Sequence, residues 1–257
     1  MPSEQLTNAN AVANPSGPLK FLRWLAGSVF VVAAVLSCLI FAIQSRNRRR
    51  AENLLRDVQT IHVGKSTTED VTNLLRNYRD TGYPASSSMC PSADSSYSVR
   101  IANDSLNQLG MKFPKLRKIG LKPWGVVAMF LLEHGKVCYF EYSFGLMRSE
   151  QWKELIVEVA APPRVPGEEF EPYFPQYLGG KAIRFTTLVY PEATLDQRRR
   201  AFDLDLSCLT QVGGCTNACE MMPSAWPDYL KEAREEGANL PADKLADPRC
   251  QEQQGSR

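Results

Sequence analysis

The sequence predicts an α+β protein with one N-terminal transmembrane helix, then helices packed on a small antiparallel sheet, and a helical C-terminal segment. Three observations lead to this prediction. Residues 24–43 form a run without a charge, several later segments alternate apolar and polar residues, and two short patterns are typical of helix starts. Together they divide the chain into a membrane anchor and a soluble part.

The apolar run reads WLAGSVFVVAAVLSCLIFAI, from Trp24 to Ile43. At about 1.5 Å per residue, twenty helical residues span roughly 30 Å, the thickness of a hydrocarbon core. Basic residues flank the run at Arg23 and Arg46. We therefore expect contact with a lipid bilayer through residues 24–43, rather than burial of this helix in a protein core.

A cleaved signal is a poorer interpretation of the same run. Signal peptides have a shorter apolar region, of about 7–15 residues, followed by a small-residue cleavage site. Neither feature is present, because Ala42 is followed by Ile43 and Gln44. A lipoprotein signal ending at Cys38 also fits poorly, since Leu36 occupies a place that prefers a small residue. The helix is predicted to remain in the mature protein.

The chain divides into four predicted regions. Residues 1–23 form a disordered tail, residues 24–43 the transmembrane helix, residues 51–210 an α+β domain, and residues 211–257 a cysteine-containing segment that is partly helical and partly disordered. The tail and the end of the chain are rich in small and polar residues, which bury too little apolar surface to fold alone.

Helices are predicted at both ends of the α+β domain. Residues 51–60 carry an apolar edge, and a second helix is expected to run to about residue 80. Ser66 with Glu69 fits a capping box at its start, and Thr67 with Asp70 nearly repeats it. Thr194 with Gln197 marks another helix, which we expect to continue to about residue 209. A short final helix is predicted at residues 224–236.

Strands are predicted in the middle of the chain. Alternation indicates strands near residues 97–102, 126–132, 137–144, 155–159 and 183–189. Gly135 favours a tight hairpin turn with His134 at its tip, since glycine readily adopts positive φ. Residues 161–180 contain five prolines and three glycines, and are predicted to be a long surface connection.

Charge and cysteines disagree about the side of the membrane. Basic residues are denser after the helix than before it, which favours a cytoplasmic C-terminal part. Six cysteines beyond the helix form an even set, which favours disulfides in an oxidising compartment. These candidate disulfide cysteines are Cys90, Cys138, Cys208, Cys215, Cys219 and Cys250. We favour the extracytoplasmic side, with the cytoplasmic side as the alternative, because long domains are translocated despite the charge rule.

Composition and motifs restrict the function classes. Residues 51–257 carry 24 Lys and Arg against 27 Asp and Glu, so nucleic acid is not an expected partner. Gly64-Lys65-Ser66 ends like a phosphate-binding loop, but Gln59 stands where that loop needs glycine. The sequence contains none of the histidine or glycine motifs of common hydrolases and dinucleotide-binding proteins. No catalytic, cofactor-binding or metal-ligating residues are therefore predicted, although Cys208, Cys215, Cys219 and Cys250 could supply four thiolates at an unfamiliar spacing.

Residues 61–75, IHVGKSTTEDVTNLL, resemble the opening turn and helix of BamE/SmpA-type bacterial envelope modules. The resemblance extends loosely to residue 147. It implies two helices against a small antiparallel sheet and a place in the cell envelope, and it transfers no binding residues. The chain departs from the family in lacking a lipobox, in carrying about 50 extra residues before the hairpin, and in extending beyond the sheet.

The expected function is therefore that of a single-pass membrane protein with a non-enzymatic domain that binds an envelope protein partner or serves another envelope role. No cofactor is expected. The alternative is a membrane-anchored enzyme whose site is built from scattered Asp, Glu and Cys residues.

Overall fold

The computed structural model describes residues 16–78, 90–113, 115–116, 123–147, 154–163, 173–178, 182–211 and 218–235. The chain forms two compact units, Met1–Ala42 and Ile43–Arg257. The first helix, α1, extends over Ser16–Val58 and contributes to both. The predicted disordered tail is thus helical from Ser16 onward, and Pro18 is compatible with this because proline is tolerated in a first helical turn.

Within the first unit, α1 is long and apolar enough to cross a membrane, with a mean hydropathy of 2.6 and no buried residues in its most apolar window. Its large side chains are exposed, as at Trp24 and Phe30. The hydroxyls of Ser28 and Ser37 donate to the carbonyls of Trp24 and Ala33, one helical turn earlier. The serine donors are therefore satisfied within the helix, as an apolar environment requires.

The second unit is a six-stranded sheet with helices. Its helices are α1 in its C-terminal part, α2 (Thr68–Leu75), α3 (Asp104–Lys112), α4 (Leu195–Ala201), α5 (Ala218–Met221) and α6 (Trp226–Glu235), with a 3-10 turn at Ser207–Thr210. Its strands are β1 (Ser95–Ala102), β2 (Trp124–Glu133), β3 (Lys136–Met147), β4 (Glu154–Ala161), β5 (Tyr173–Leu178) and β6 (Ala182–Leu188). The strand order is β1-β2-β3-β4-β6-β5. The α+β class predicted from the sequence is confirmed.

The sheet differs from the prediction in two ways. It is mixed rather than antiparallel, because β4 and β6 pair in parallel from Glu154 opposite Ala182 to Ala160 opposite Leu188. It also contains β5, within the segment predicted to be a surface connection. Pro175 obscured this strand in the sequence. Proline has no N–H to donate to a ladder, but it is tolerated in the edge position that β5 occupies.

One face of the sheet carries the main core. Alternate residues of the central strands point to this face and are almost fully buried, for example Phe130, Phe140, Tyr142 and Val157. Helices α1, α2, α4, α5 and α6 contribute buried residues to the same cluster. Residues 218–230, beyond the predicted domain boundary at 210, therefore share one core with the sheet.

The C-terminal part of α1 is tied into the second unit by polar contacts. The Tyr142 hydroxyl donates a 3.0 Å hydrogen bond to the carbonyl oxygen of Ala51. The Arg198 guanidinium donates to the carbonyl oxygens of Gln59 and Ile61, at 3.2 and 2.9 Å. These two carbonyls lie just after the helix end, where α1 no longer supplies backbone donors. Arg198 thus fixes the chain as it leaves α1.

The helix-start patterns are partly as predicted. Thr67 and Asp70 form the capping box of α2, whereas the Ser66 hydroxyl accepts from the backbone N–H of His62. The alternative with Ser66 as cap is therefore wrong, because Ser66 closes the turn one residue earlier. The helix also ends at Leu75, short of residue 80.

The hairpin between β2 and β3 is confirmed. His134 and Gly135 have φ values of 50° and 76°, the left-handed backbone that a two-residue turn requires. The Asp94 carboxylate accepts from the His134 backbone N–H at 2.8 Å, which attaches the turn to the residue before β1.

The capping box of Thr194 and Gln197 is confirmed at the start of α4. The helix ends at Ala201 rather than near residue 209, and the Leu195 side chain is 69% exposed. Phe202, Leu206 and Leu209 are buried, but they lie after the helix end, in irregular chain and the 3-10 turn.

Candidate functional site

The predicted disulfide cysteines are brought together only in part. Cys90 and Cys138 form a disulfide, with 6.2 Å between their Cα atoms, which joins the segment before β1 to strand β3. Disulfide bonding is thereby confirmed for this pair. Cys208 and Cys219 each take part in a disulfide as well. Cys215 and Cys250 lie outside the described residues, so their bonding stays a prediction.

The disulfide belongs to a small cluster on the second face of the sheet, opposite the main core. Cys90 and Cys138 pack there with Leu131, Ala160 and Leu188. This second face carries the residues that alternate with the core positions. It is apolar around the disulfide, and it becomes polar toward the end of the sheet where β2 begins.

A cavity of about 470 Å³ lies at that polar end. Helix α3 and the second face of the sheet line it, with Arg100, Asp104, Asn107, Gln108, Met111, Pro123, Trp124, Gly125, Val127, Ser143, Gly145, Ile156 and Arg184. Gly125 of β2 is paired directly with Gly145 of β3. Two neighbouring positions on this face therefore carry no side chain, which contributes to the open space.

Helix α3 is fixed beside the cavity by its own side chains. The Asn103 side chain caps the helix by accepting from the Leu106 backbone N–H. Asn107 donates to the carbonyl oxygen of Trp124 at 2.8 Å and accepts from its backbone N–H at 3.2 Å. This paired contact imitates a strand ladder, and it holds α3 against the start of β2.

One charged pair of the lining is satisfied within the protein. The Arg100 guanidinium donates to both oxygens of the Asp104 carboxylate, at 2.7 and 3.0 Å. This bidentate contact depends on the planar geometry of both the guanidinium and the carboxylate. Arg100 and Asp104 therefore neutralise each other at the cavity rim.

The second arginine of the lining has a different neighbour. Arg184 Nε lies 3.4 Å from Glu158 Oε2, and the Glu158 side chain is only 5% exposed. The distance is that of an ion pair, yet neither atom makes a hydrogen bond within the described part of the chain. Arg184 therefore lies beside a buried carboxyl that is within ion-pair distance but makes no hydrogen bond with its Nε.

Burial, and then the nearby Glu141 carboxylate, raise the pKa of the Glu158 carboxyl to about 8, while Arg184 opposes the shift. The shift favours the protonated form of Glu158. A protonated carboxyl leaves the positive charge of Arg184 uncompensated, which makes the described lining more electropositive.

A third acid completes the polar part of the second face. The Tyr139 hydroxyl donates to Glu141 Oε2 at 3.1 Å. Burial, together with the charges of Glu141 and Glu158, raises the pKa of Tyr139 well above its ordinary value. Tyr139 is therefore a hydrogen-bond donor to Glu141 at every physiological pH.

The cluster offers proton donors and a cation rather than a metal site. Among the described residues, no three His, Cys, Asp or Glu side chains converge as metal ligands would. A protonated Glu158 beside a charged Arg184 can hold an anion, and it can release a proton as the pH rises.

Sequence reasoning missed Glu158 and Arg184 because each occupies an ordinary strand position. Alternation predicted a strand from Leu155, Val157 and Val159 and gave no role to the residues between them. The signal that could have drawn attention to this region was Gly125 with Gly145, since glycine within a strand marks close approach of another group.

A second polar cavity, of about 430 Å³, lies beside α2. Its lining includes Asp57, Thr60, Asp70 and Asn73. The Tyr78 hydroxyl donates to Asp57 at 2.8 Å, and burial with this bond raises the pKa of Tyr78. This cavity adjoins the segment that resembles BamE/SmpA-type modules.

Comparison with known proteins adds no identity: no family model, curated protein or solved structure matches the chain. The resemblance of residues 61–75 to BamE/SmpA-type envelope modules therefore stays a prediction, and function must be argued from the helix, the disulfide and the cavity.

Proposed function

We propose that the chain is a single-pass membrane protein, anchored by residues 24–43, whose disulfide-bonded α+β domain lies outside the cytoplasm and acts as a binding module for an envelope protein partner. The observation that carries the proposal is a disulfide between Cys90 and Cys138 in a chain that also contains a long exposed apolar helix.

The anchor is supported by surface chemistry. No residue of the most apolar window of α1 is buried, and large side chains such as Phe30 are 75% exposed. Exposing such a surface to water is unfavourable, because removing each CH₂ group from water lowers the free energy by about 0.8 kcal/mol. A bilayer removes this cost and is the natural environment for the helix.

The extracytoplasmic side is supported by the disulfides. Cys90 and Cys138 bond to one another, and Cys208 and Cys219 each take part in a disulfide. Cytosolic reductants keep most protein thiols reduced, whereas secreted and periplasmic domains retain disulfides. The arginines after the helix oppose this orientation, but the charge rule is weak for long translocated domains.

A binding role is supported because the acid and the cysteines that could serve catalysis are already paired within the protein. Of the described residues that line the larger cavity, Asp104 is the single acid, and Arg100 holds it. The disulfide-bonded cysteines have no thiolate to offer as a nucleophile. The local resemblance of residues 61–75 to envelope modules points in the same direction.

The alternative is a membrane-anchored enzyme. Glu158 favours it, since a buried carboxyl with a raised pKa is suited to general acid catalysis. Its side chain is 5% exposed, however, and a substrate would need a path to it. Hydrolase activity toward a panel of chromogenic esters and glycosides that disappears in Glu158→Gln would favour this alternative.

Cysteine accessibility in intact cells tests the proposal. In a Cys38→Ser variant, only cysteines of the second unit remain. With the domain outside the cytoplasm, a large maleimide reagent is expected to modify these cysteines only after reduction, and a membrane-impermeant reductant should suffice. Modification that needs no reductant and occurs only after the membrane is lysed would refute both the orientation and the disulfides.

Membrane attachment needs its own measurement. The full chain is expected to remain with the membrane after alkaline carbonate extraction and to enter solution with detergent. Deletion of residues 24–43 should release it. Release of the full chain by carbonate alone would contradict the anchor.

A further inference from the structure

The cavity beside α3 has a charge, a shape and a size that together select a class of ligand. Its volume of about 470 Å³ lies within the range of small-molecule sites, which is about 300–1,000 Å³. Such sites combine an apolar surface with a few polar groups that orient the ligand. Both parts are found here.

The apolar part is a shallow surface on the second face of the sheet. Gly125 and Gly145 form its floor, and Met111, Val127 and Ile156 surround it. A Cβ placed on Gly125 would have Ala102 Cβ as its nearest neighbour, at 3.6 Å, an ordinary contact. Nothing in the local packing therefore demands glycine at position 125, and its absent side chain leaves room for a ligand.

The polar part is Arg184. Its Nε faces the buried Glu158 carboxyl without a hydrogen bond, and the same residue lines the cavity. Arg100 donates hydrogen bonds to both oxygens of Asp104, whereas Arg184 makes only the 3.4 Å contact with Glu158, so Arg184 is the less engaged cation of the described lining. A guanidinium has five donors in a fork that fits a carboxylate.

We propose that this cavity binds a small organic monocarboxylate, whose carboxylate pairs with Arg184 and whose apolar body lies over Gly125 and Gly145. One available cation matches one negative charge, so a phosphate dianion fits less well. Ser143, which also lines the cavity, can donate a further hydrogen bond to the carboxylate.

The groups around Arg184 give the site a dependence on pH. Glu158 from β4 faces Arg184 directly, Glu141 from β3 lies beside Glu158, and Tyr139 donates to Glu141. Where Glu158 is protonated, it leaves the Arg184 guanidinium to the ligand. Above about pH 8 the Glu158 carboxylate competes with the ligand for the same guanidinium, so affinity is expected to fall.

The inference goes beyond the proposed function and does not depend on the side of the membrane. Binding is measured on the purified full chain in lipid nanodiscs, with empty nanodiscs as the reference, so a wrong topology would leave the result unchanged. The probe is 2-naphthoate at pH 6.5. Its neutral analogue is 2-naphthamide, and its dianionic analogue is 2-naphthyl phosphate.

For 2-naphthoate we expect saturable binding with a Kd on the order of 1 mM or tighter, the affinity usual for a ligand of its size. Naphthamide and naphthyl phosphate should each bind at least about tenfold more weakly. Equal binding of naphthamide would overturn the proposal, and so would tighter binding of the phosphate or the absence of saturable naphthoate binding.

Two variants test the location. Arg184→Gln removes the cation. Gly125→Leu places a side chain in the apolar part of the cavity and leaves Arg184 unchanged. Each is expected to weaken naphthoate binding at least about tenfold, whereas Arg199→Gln, which removes an exposed charge on α4, should change it by less than about twofold. Unchanged binding in either folded variant would place the ligand elsewhere. If one variant does not fold, as judged by its thermal transition, the other variant and the three probes still decide.

Discussion

Glu158 Oε2 lies 3.4 Å from Arg184 Nε on adjacent strands of the sheet, with the Glu158 side chain only 5% exposed. The carboxyl is buried beside another acid, Glu141, and its pKa is raised to about 8. This pair determines the charge of the larger cavity, and it also makes the stability of the second unit depend on pH.

The first prediction concerns that stability. The folded pKa of Glu158 is above its unfolded value of 4.5, so the folded state holds the proton more tightly. The contribution is fully present below pH 4.5 and is lost as the pH rises through 8. Glu158→Gln removes this loss of stability with rising pH, because the amide stays neutral. Relative to wild type, this variant should therefore gain stability between pH 5 and pH 9, by on the order of 3 kcal/mol.

Urea denaturation of the full chain in nanodiscs measures this difference at each pH. Glu69→Gln, at an exposed position of α2, serves as the control and should show a difference nearly independent of pH. A difference between Glu158→Gln and wild type that stays constant from pH 5 to pH 9 would mean that Glu158 is ionised throughout.

The second prediction concerns the disulfide. Cys90 and Cys138 are 48 residues apart, and closing a loop of that length removes unfolded-state entropy worth about 4 kcal/mol. The double variant Cys90→Ala with Cys138→Ala is expected to lower the free energy of unfolding by about 2–4 kcal/mol. Cys38→Ala should have almost no effect, because Cys38 is free and exposed. A loss below 1 kcal/mol in the double variant would show that the bond contributes little.

The third prediction concerns Arg198. Its guanidinium donates to the carbonyl oxygens of Gln59 and Ile61 and lies 5.8 Å from the Phe202 ring centroid. Hydrogen bonds to charged groups contribute about 1.5–3 kcal/mol. Arg198→Ala should therefore destabilise the domain by about 2 kcal/mol, measured by thermal or urea denaturation. Arg199→Ala, one residue along α4 and exposed, should cost less than about 0.5 kcal/mol. Equal effects would mean that the two carbonyls do not depend on Arg198.

Local chemistry made much of the fold predictable from the sequence. The apolar run predicted the exposed helix, alternation predicted five of the six strands, and Thr194 with Gln197 marked the start of α4. The parallel pairing of β4 with β6 was missed, because alternation specifies which residues share a face and not which strand lies alongside. Strand β5 was missed because a proline such as Pro175 argues against a strand, and only its edge position makes the proline acceptable.

The candidate site was less predictable than the fold. Gly125 and Gly145 are far apart in the chain, and only the register of β2 and β3 brings them together. The approach of Arg184 to the buried Glu158 depends on the parallel pairing of β4 with β6. Both features depend on strand order, which a pattern of single residues does not contain.

The last prediction concerns the turn between β2 and β3. Gly135 has a φ of 76°, in the left-handed region where a Cβ costs roughly 1–2 kcal/mol. Gly135→Ala should destabilise the domain by that amount. The space itself is sufficient, since the nearest atom to an added Cβ is Thr68 Oγ1 at 3.7 Å, so any loss must come from the backbone.

His134, at φ 50°, provides the matched control for that turn. His134→Asn retains a side chain but introduces a residue that tolerates left-handed backbone, so it should be neutral or slightly stabilising. Thermal denaturation of the two variants separates the explanations. If Gly135→Ala and His134→Asn both leave the transition unchanged, the turn adopts another conformation in solution. If both destabilise equally, the His134 side chain has a role of its own, because backbone strain alone predicts opposite signs.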